Sequence, residues 1–377
     1  MAKYDWLIVG AGFTGAVLAE RIASQLGQKV LVVDRRDHIA GNAYDYRGPL
    51  GILVHKYGPH IFHTNSKMVW NYLSRFTQWM PYFHKVVGSV DGQFVPIPFN
   101  INSIEMTFPQ GMAQRLCEEL VETYGFGKKI PIMKLRETDA PNMRYIADYV
   151  YDKVFKNYTF KQWNLRPEDL DPMVTARVPF FISRDDRYFQ DTYQAMPREG
   201  YTRLFERMLD HENIHVSLET EYKHAVESNP DARVVFTGPI DEFFDYQFGA
   251  LPYRSLRFEM RQEPDQWAQP VGTVNYPNEF DFTRITELKH LTRDRADGTL
   301  LIEEYPEAYV AGKNEPYYPV PTPDTSKMLK PYQELAGSLS GKVWFAGRLG
   351  DYAYYNMDQA CGRALALFEK QIVPAIR

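Results

Sequence analysis

Residues 4–34 read "YDWLIVGAGFTGAVLAERIASQLGQKVLVVD". A short apolar run, a glycine turn, apolar residues at helical spacing and a second apolar run predict strand, helix and strand. Such a βαβ unit is expected to be parallel and right-handed. Gly10, Gly12 and Gly15 place G-x-G-x-x-G at the first strand–helix junction. The first glycine permits the tight turn, the second lets a pyrophosphate approach the backbone, and the third lets helix and strand pack closely. Phe13 and Thr14 then open a helix whose N-terminal N–H groups and dipole favour phosphate. Asp34 ends the second strand, where a carboxylate can accept hydrogen bonds from both ribose hydroxyls. The pattern predicts a dinucleotide site; the alternative is a glycine turn with a structural role only.

The remaining bulk properties set limits. With 377 residues, the chain is long enough for two or three domains around a large interior. A formal net charge of −5 provides no global field for nucleic acid or an anionic membrane, so any anionic ligand must be held by locally placed arginines. Cys117 and Cys361 are the two cysteines, too few for a disulfide framework or a zinc-finger spacing, which fits a reducing compartment. Glycines divide the apolar N-terminal stretch, and no run of about 18 apolar residues occurs elsewhere, so a cytoplasmic protein without membrane insertion is expected. The 26 tyrosines either pack or form stacking surfaces.

Further along, "IEMTFPQGMAQRLCEELVETYG" (104–125) and "APNMRYIADYVYDKVFKNYTFKQW" (140–163) are predicted helical. "YRSLRFEM", "PVGTVNY" and "TLLIEEY" alternate as antiparallel strands do, whereas "RVVFTG" and "KVWFAG" are short buried strands that stop at glycine. The order implies one discontinuous nucleotide domain with a helical and a sheet insertion. After "KVWFAG" come an arginine, several tyrosines, Asn356 and Asp358, with a helix predicted to start near Asn356.

The segment "DRRDHIAGNAYD" resembles the FAD-binding proteins with the glutathione-reductase type of fold. That resemblance implies FAD and an α/β, discontinuous Rossmann-like FAD-binding domain of residues 1–65, 195–245 and 325–377. A helical domain (66–82 and 100–165) and an antiparallel-sheet substrate domain with a mobile loop (83–99, 166–194 and 246–324) complete the expected division. Cofactor contacts are expected from Gly10, Gly12, Phe13, Thr14, Gly15, Asp34, Arg35, Gly41, Asn42, His60, Gly238, Arg348, Asn356, Met357 and Asp358.

Six further blocks sharpen the resemblance. At "GPHIFHT", "YTFKQWNL", "ARVPFFISRDDRYFQDTYQAMPREGYT", "FTRITELKH", "PYYP" and "GRLGDYAYYNMD" the chain resembles the bacterial UDP-galactopyranose mutase family, collinearly over nearly its whole length. The family implies interconversion of UDP-galactopyranose and UDP-galactofuranose through a covalent adduct between N5 of reduced FAD and the galactose anomeric carbon, with no net redox change. It also implies that Arg177 and Arg284 hold the diphosphate, with Arg348 nearer the flavin, a task that suits arginine's planar fork. His60 is implied against the flavin. Tyr158, Trp163, Tyr188, Asn275, Tyr318 and Tyr354 are implied at the substrate. The proline-marked stretch between Trp163 and Tyr188 is expected to be a lid that carries Arg177 inward. A nicotinamide nucleotide as reductant and a homo-oligomer are further expectations from the resemblance.

Three departures from the family pattern stand out. Ala40 replaces the first glycine of Gly-Gly-Asn and is expected to tighten packing; His84 stands at an expected asparagine of the sugar pocket, and Asn356 at an expected aspartate. The competing classes are an amine-oxidase-type flavin oxidoreductase and a flavin-binding protein without turnover. A metal at His60 and His63 finds no third ligand at helical spacing.

Overall fold

The computed structural model describes residues 4–172, 176 and 178–376. Five parallel strands form the central sheet in the order Ile214–Ser217, Val30–Val33, Trp6–Val9, Arg233–Phe236 and Val343–Phe345. Trp6–Val9 and Val30–Val33 are buried along their whole length, as strands covered on both faces must be. Alternate residues enter two separate cores. Trp6, Ile8, Val30 and Val32 pack beneath helix Phe13–Leu26, while Leu7, Val9, Leu31 and Val33 pack on the opposite face. The predicted βαβ unit and the late strand ending before Gly347 are therefore present, far apart in sequence but in one sheet.

The helical insertion has its own core, built by Ile104, Leu116, Leu120, Ile132, Ile146 and their neighbours. The helix expected over 104–125 is two helices, Ile101–Thr107 and Gln110–Tyr124. Pro109 disfavours the α conformation in the residue before it, and Phe108 is extended. Residues 66–82, expected in this insertion, pack elsewhere: Val69, Tyr72, Leu73 and Phe76 join the core beneath Phe13–Leu26.

The second insertion is a seven-stranded sheet whose middle is Tyr253–Glu263, Thr299–Ala308, Arg284–Glu287 and Thr273–Asn275. All its pairs are antiparallel except that between Thr273–Asn275 and Val86–Val90. The cross-strand register sets Arg284 opposite Glu304. Among the described residues no helix is long and apolar enough to cross a membrane.

Candidate active site

Two clefts run through the molecule and share His60, Arg348, Asn356 and Met357. The first is open to solvent and spans about 1230 Å³ above the carboxyl ends of the parallel strands. Its walls include Gly10, Gly12, Phe13, Thr14, Asp34, Arg35, Gly41, Asn42 and Gly238, so these candidate cofactor contacts are brought together. Two expected residues stand apart from it. Gly15 lies beneath the turn, where an added Cβ would sit 1.9 Å from the Gly10 carbonyl oxygen. Asp358 lines the second cleft, with Oδ2 accepting from Thr64 Oγ1 at 2.8 Å.

The first cleft fits a dinucleotide by its backbone. A Cβ on Gly41 would come 3.0 Å from Gly12 Cα, so two chain segments pass each other where side chains would fill the cradle. Helix Phe13–Leu26 starts at Gly12 without a side-chain cap, leaving its N–H groups facing the cleft. Asp34 accepts from the N–H of Ala11 (2.9 Å) and of Arg36 (3.0 Å), one bond to each oxygen, which fixes the carboxylate and leaves acceptor capacity on both. Ala40 departs from expectation in kind: it sits at φ 71°, so its substitution for glycine acts on the backbone and not on packing alone.

The second cleft, also open to solvent, spans about 1280 Å³ and is a cage of side chains. His84, Tyr158, Tyr188, Asn275, Arg284, Tyr318 and Tyr354 line it together with His60, Arg348 and Asn356. Trp163 stands behind this wall, its ring 6.2 Å from Tyr318 and 5.9 Å from Tyr354. Arg177 lies outside the described residues, so the expected lid is described only on either side of it. His63, Phe189, Val86, Pro59 and Ile61 also line the cleft; of these, His63 is marked in the sequence only by its spacing from His60, and the other four carry no local signal.

Charge and protonation in this cage follow from burial and pairing. Arg284 Nη2 donates to Glu304 Oε2 at 2.7 Å, while its Nε is buried without a partner. Burial works against the charge, yet Glu304 and the neighbouring phenols hold the Arg284 guanidinium well above its ordinary value. Arg348 donates to the carbonyls of Tyr317 (3.2 Å) and Tyr355 (2.6 Å), and its Cζ lies 5.2 Å from the Tyr318 ring centroid. Its position is thus fixed by neutral partners. His60 donates from Nδ1 to the Gly58 carbonyl at 2.7 Å, because a carbonyl can only accept; Nε2 is then the acceptor. Burial, with His55 and the two arginines, lowers the His60 pKa to about 3. His84, bonded through Nδ1 to the Tyr82 hydroxyl at 3.0 Å, is pushed to about 3 chiefly by burial. Burial likewise raises the Tyr158 and Tyr318 phenols, so both are protonated donors at neutral pH.

The fold and the joined clefts define a flavoprotein with a discontinuous Rossmann-like FAD-binding domain. A family model for NAD(P)-binding Rossmann-like domains matches residues 8–76, and one for UDP-galactopyranose mutase matches residues 153–354. The chain belongs to the UDP-galactopyranose mutase family and is an isomerase of that family. It is 38% identical to a probable UDP-galactopyranose mutase of Klebsiella pneumoniae over 97% of this chain and 94% of that one. It is also 32% identical to a dTDP-fucopyranose mutase of Escherichia coli, over 95% and 96% of the two chains. A crystal structure of reduced UDP-galactopyranose mutase shares the fold at a TM-score of 0.72 and 15% identity, covering 100% of this chain and 95% of the other.

Proposed function

We propose that this protein interconverts UDP-galactopyranose and UDP-galactofuranose on reduced FAD, with no net change of redox state. The observation that carries this is the junction of the clefts at His60, Arg348, Asn356 and Met357. A hexose in the second cleft lies against the end of a dinucleotide in the first. When bound and reduced, FAD supplies the nucleophile for the anomeric carbon.

The side chains do the rest. Arg284, held charged by Glu304 beside the partnerless Nε, offers N–H donors to the diphosphate as it leaves and returns. Arg177 is the second such group under the family resemblance. Protonated Tyr158 and Tyr318 add neutral donors, with Tyr188 and Tyr354 on the same walls. His60 keeps its proton on Nδ1 and presents Nε2 as an acceptor at the junction. Asn356 precedes helix Met357–Leu367, and its backbone N–H donates to Gln359 Oε1 at 2.9 Å, a bond at the helix start that an aspartate in its place would make equally. A nicotinamide nucleotide as reductant, a homo-oligomer and a cytoplasmic location belong to the proposal on the family resemblance.

The test is anaerobic incubation of the dithionite-reduced protein with UDP-galactofuranose. UDP-galactopyranose should form without consumption of electrons; oxidation that requires an acceptor, or no reaction, overturns the proposal. Running dTDP-fucofuranose in parallel checks the sugar nucleotide, and a higher kcat/KM for it overturns the UDP-galactose assignment.

A further inference from the structure

The first cleft is crossed by a strap from the sheet insertion. Residues Glu315, Pro316 and Tyr317 lie between strands Thr299–Ala308 and Tyr318–Pro319 and line the cofactor cleft. The strap is held at both ends. At one end Glu315 Oε2 accepts from Arg35 Nη2 at 2.9 Å and from Arg36 Nη2 at 2.8 Å. At the other, the Tyr317 carbonyl accepts from Arg348 Nη1 at 3.2 Å.

The two attachments differ in what they can do. Arg348 belongs to the junction where the sugar reacts. The Glu315 end lies beside Asp34, the ribose-facing acid of the βαβ unit, and therefore at the adenosine half of the cleft. There Arg36 is unusually well fixed. Its Nη1 donates to Asn42 Oδ1 at 3.0 Å, its Cζ lies 4.4 Å from the Tyr57 ring centroid, and its side chain is 16% exposed. A carboxylate shared by two guanidiniums, one of them stacked and mostly buried, is more than an isolated surface pair. It also joins segments about 280 residues apart, so breaking it frees the Glu315 end of the strap while the Tyr317–Arg348 bond stays in place.

We propose that Glu315 is a latch that retains FAD, closing the strap over the adenosine half of the cofactor by pairing with Arg35 and Arg36. The latch acts on retention, and the reacting end of the cleft does not depend on it. FAD leaves only when the carboxylate separates from both arginines. A neutral side chain at this position therefore accelerates release without altering turnover of the flavin that stays bound.

The experiment follows the recovery of free-flavin fluorescence after dilution of the holoenzyme, for the wild type, Glu315→Gln and Glu315→Asp. Glu315→Gln is expected to release FAD about 5- to 20-fold faster, with Glu315→Asp between the two. Raising salt from about 0.05 to about 1 M should accelerate wild-type release and leave Glu315→Gln nearly unchanged, which a purely structural role would not produce. Turnover per bound flavin stays within about twofold of wild type, since the variant removes no group at the junction. Release from Glu315→Gln within twofold of wild type, equal salt sensitivity of the two proteins, or a parallel loss of turnover per flavin each overturns the latch. Flavin release is measured without the sugar, so it can fail while isomerase activity is present, and the reverse.

Discussion

The two clefts meet at one junction and are opposite in construction. The cofactor cleft is shaped by backbone: glycines that let chain segments pass closely, a helix start with free N–H groups, and strand ends that place Asp34. The sugar cleft is shaped by side chains drawn from distant segments, with His60, His84, Tyr158, Asn275, Arg284, Tyr318 and Tyr354 meeting only after both insertions have folded back. A backbone site tolerates little change in volume and much change in neighbouring side chains. The side-chain site is the reverse. That difference predicts which substitutions remove the flavin and which remove only chemistry.

The largest effect belongs to the backbone site. Gly15→Ala places a Cβ 1.9 Å from the Gly10 carbonyl oxygen, against main chain that cannot move aside. Purified Gly15→Ala is expected to carry no flavin, as read from its visible absorption. A flavin-loaded variant would show that the cradle is more pliable than its geometry implies.

A smaller effect depends on pH and reads the side-chain site through His84. His55 and His84 are buried, His60 is half-buried at the junction of the clefts, and all three are held neutral, with pKa values of about 4, 3 and 3 for His55, His60 and His84 against 6.5 in the unfolded chain, desolvation being the leading cause in each. Because the folded values are depressed, their contribution to stability is complete above pH 6.5 and is lost as pH falls toward the folded values. The thermal midpoint should therefore drop between pH 7 and pH 4. His84→Asn should drop less over that window, because one of the three groups no longer titrates. Superimposable pH profiles would contradict the buried neutral assignment of His84.

The smallest effect lies in the backbone again. Ala40 at φ 71° carries strain that glycine lacks, partly offset by glycine's greater freedom in the unfolded chain. Ala40→Gly is expected to stabilise the protein by about 0.5–1 kcal/mol, measured by denaturant unfolding. Destabilisation would mean that the lost methyl packing outweighs the strain.

The same contrast explains what could be read from the sequence. The glycine spacing, the apolar strand runs and Asp34 are local, so the cofactor cleft was legible from residues 4–34 with the late "KVWFAG" strand. Period-two alternation in "TLLIEEY" also announced a strand, but its pairing partner was not visible. Glu304 was therefore missed as the companion of Arg284, though cross-strand register makes them neighbours. Glu315 gave no signal because nothing near it in sequence reveals Arg35 and Arg36. The sugar cage was legible only through family blocks, since an isolated tyrosine or arginine in a chain this aromatic has no local mark of function. Pro109 marks the break at Phe108 in the sequence, but the apolar spacing continues across it and by itself predicts one helix.

The most direct measurement is turnover per bound flavin of Arg284→Ala beside wild type, both reduced and anaerobic with UDP-galactofuranose. If the sugar cleft supplies the diphosphate's charge and the cofactor cleft stands independently, flavin content is unchanged and kcat falls by about 10²–10³-fold. Near wild-type kcat, or a loss of activity that merely tracks a loss of flavin, would contradict the account.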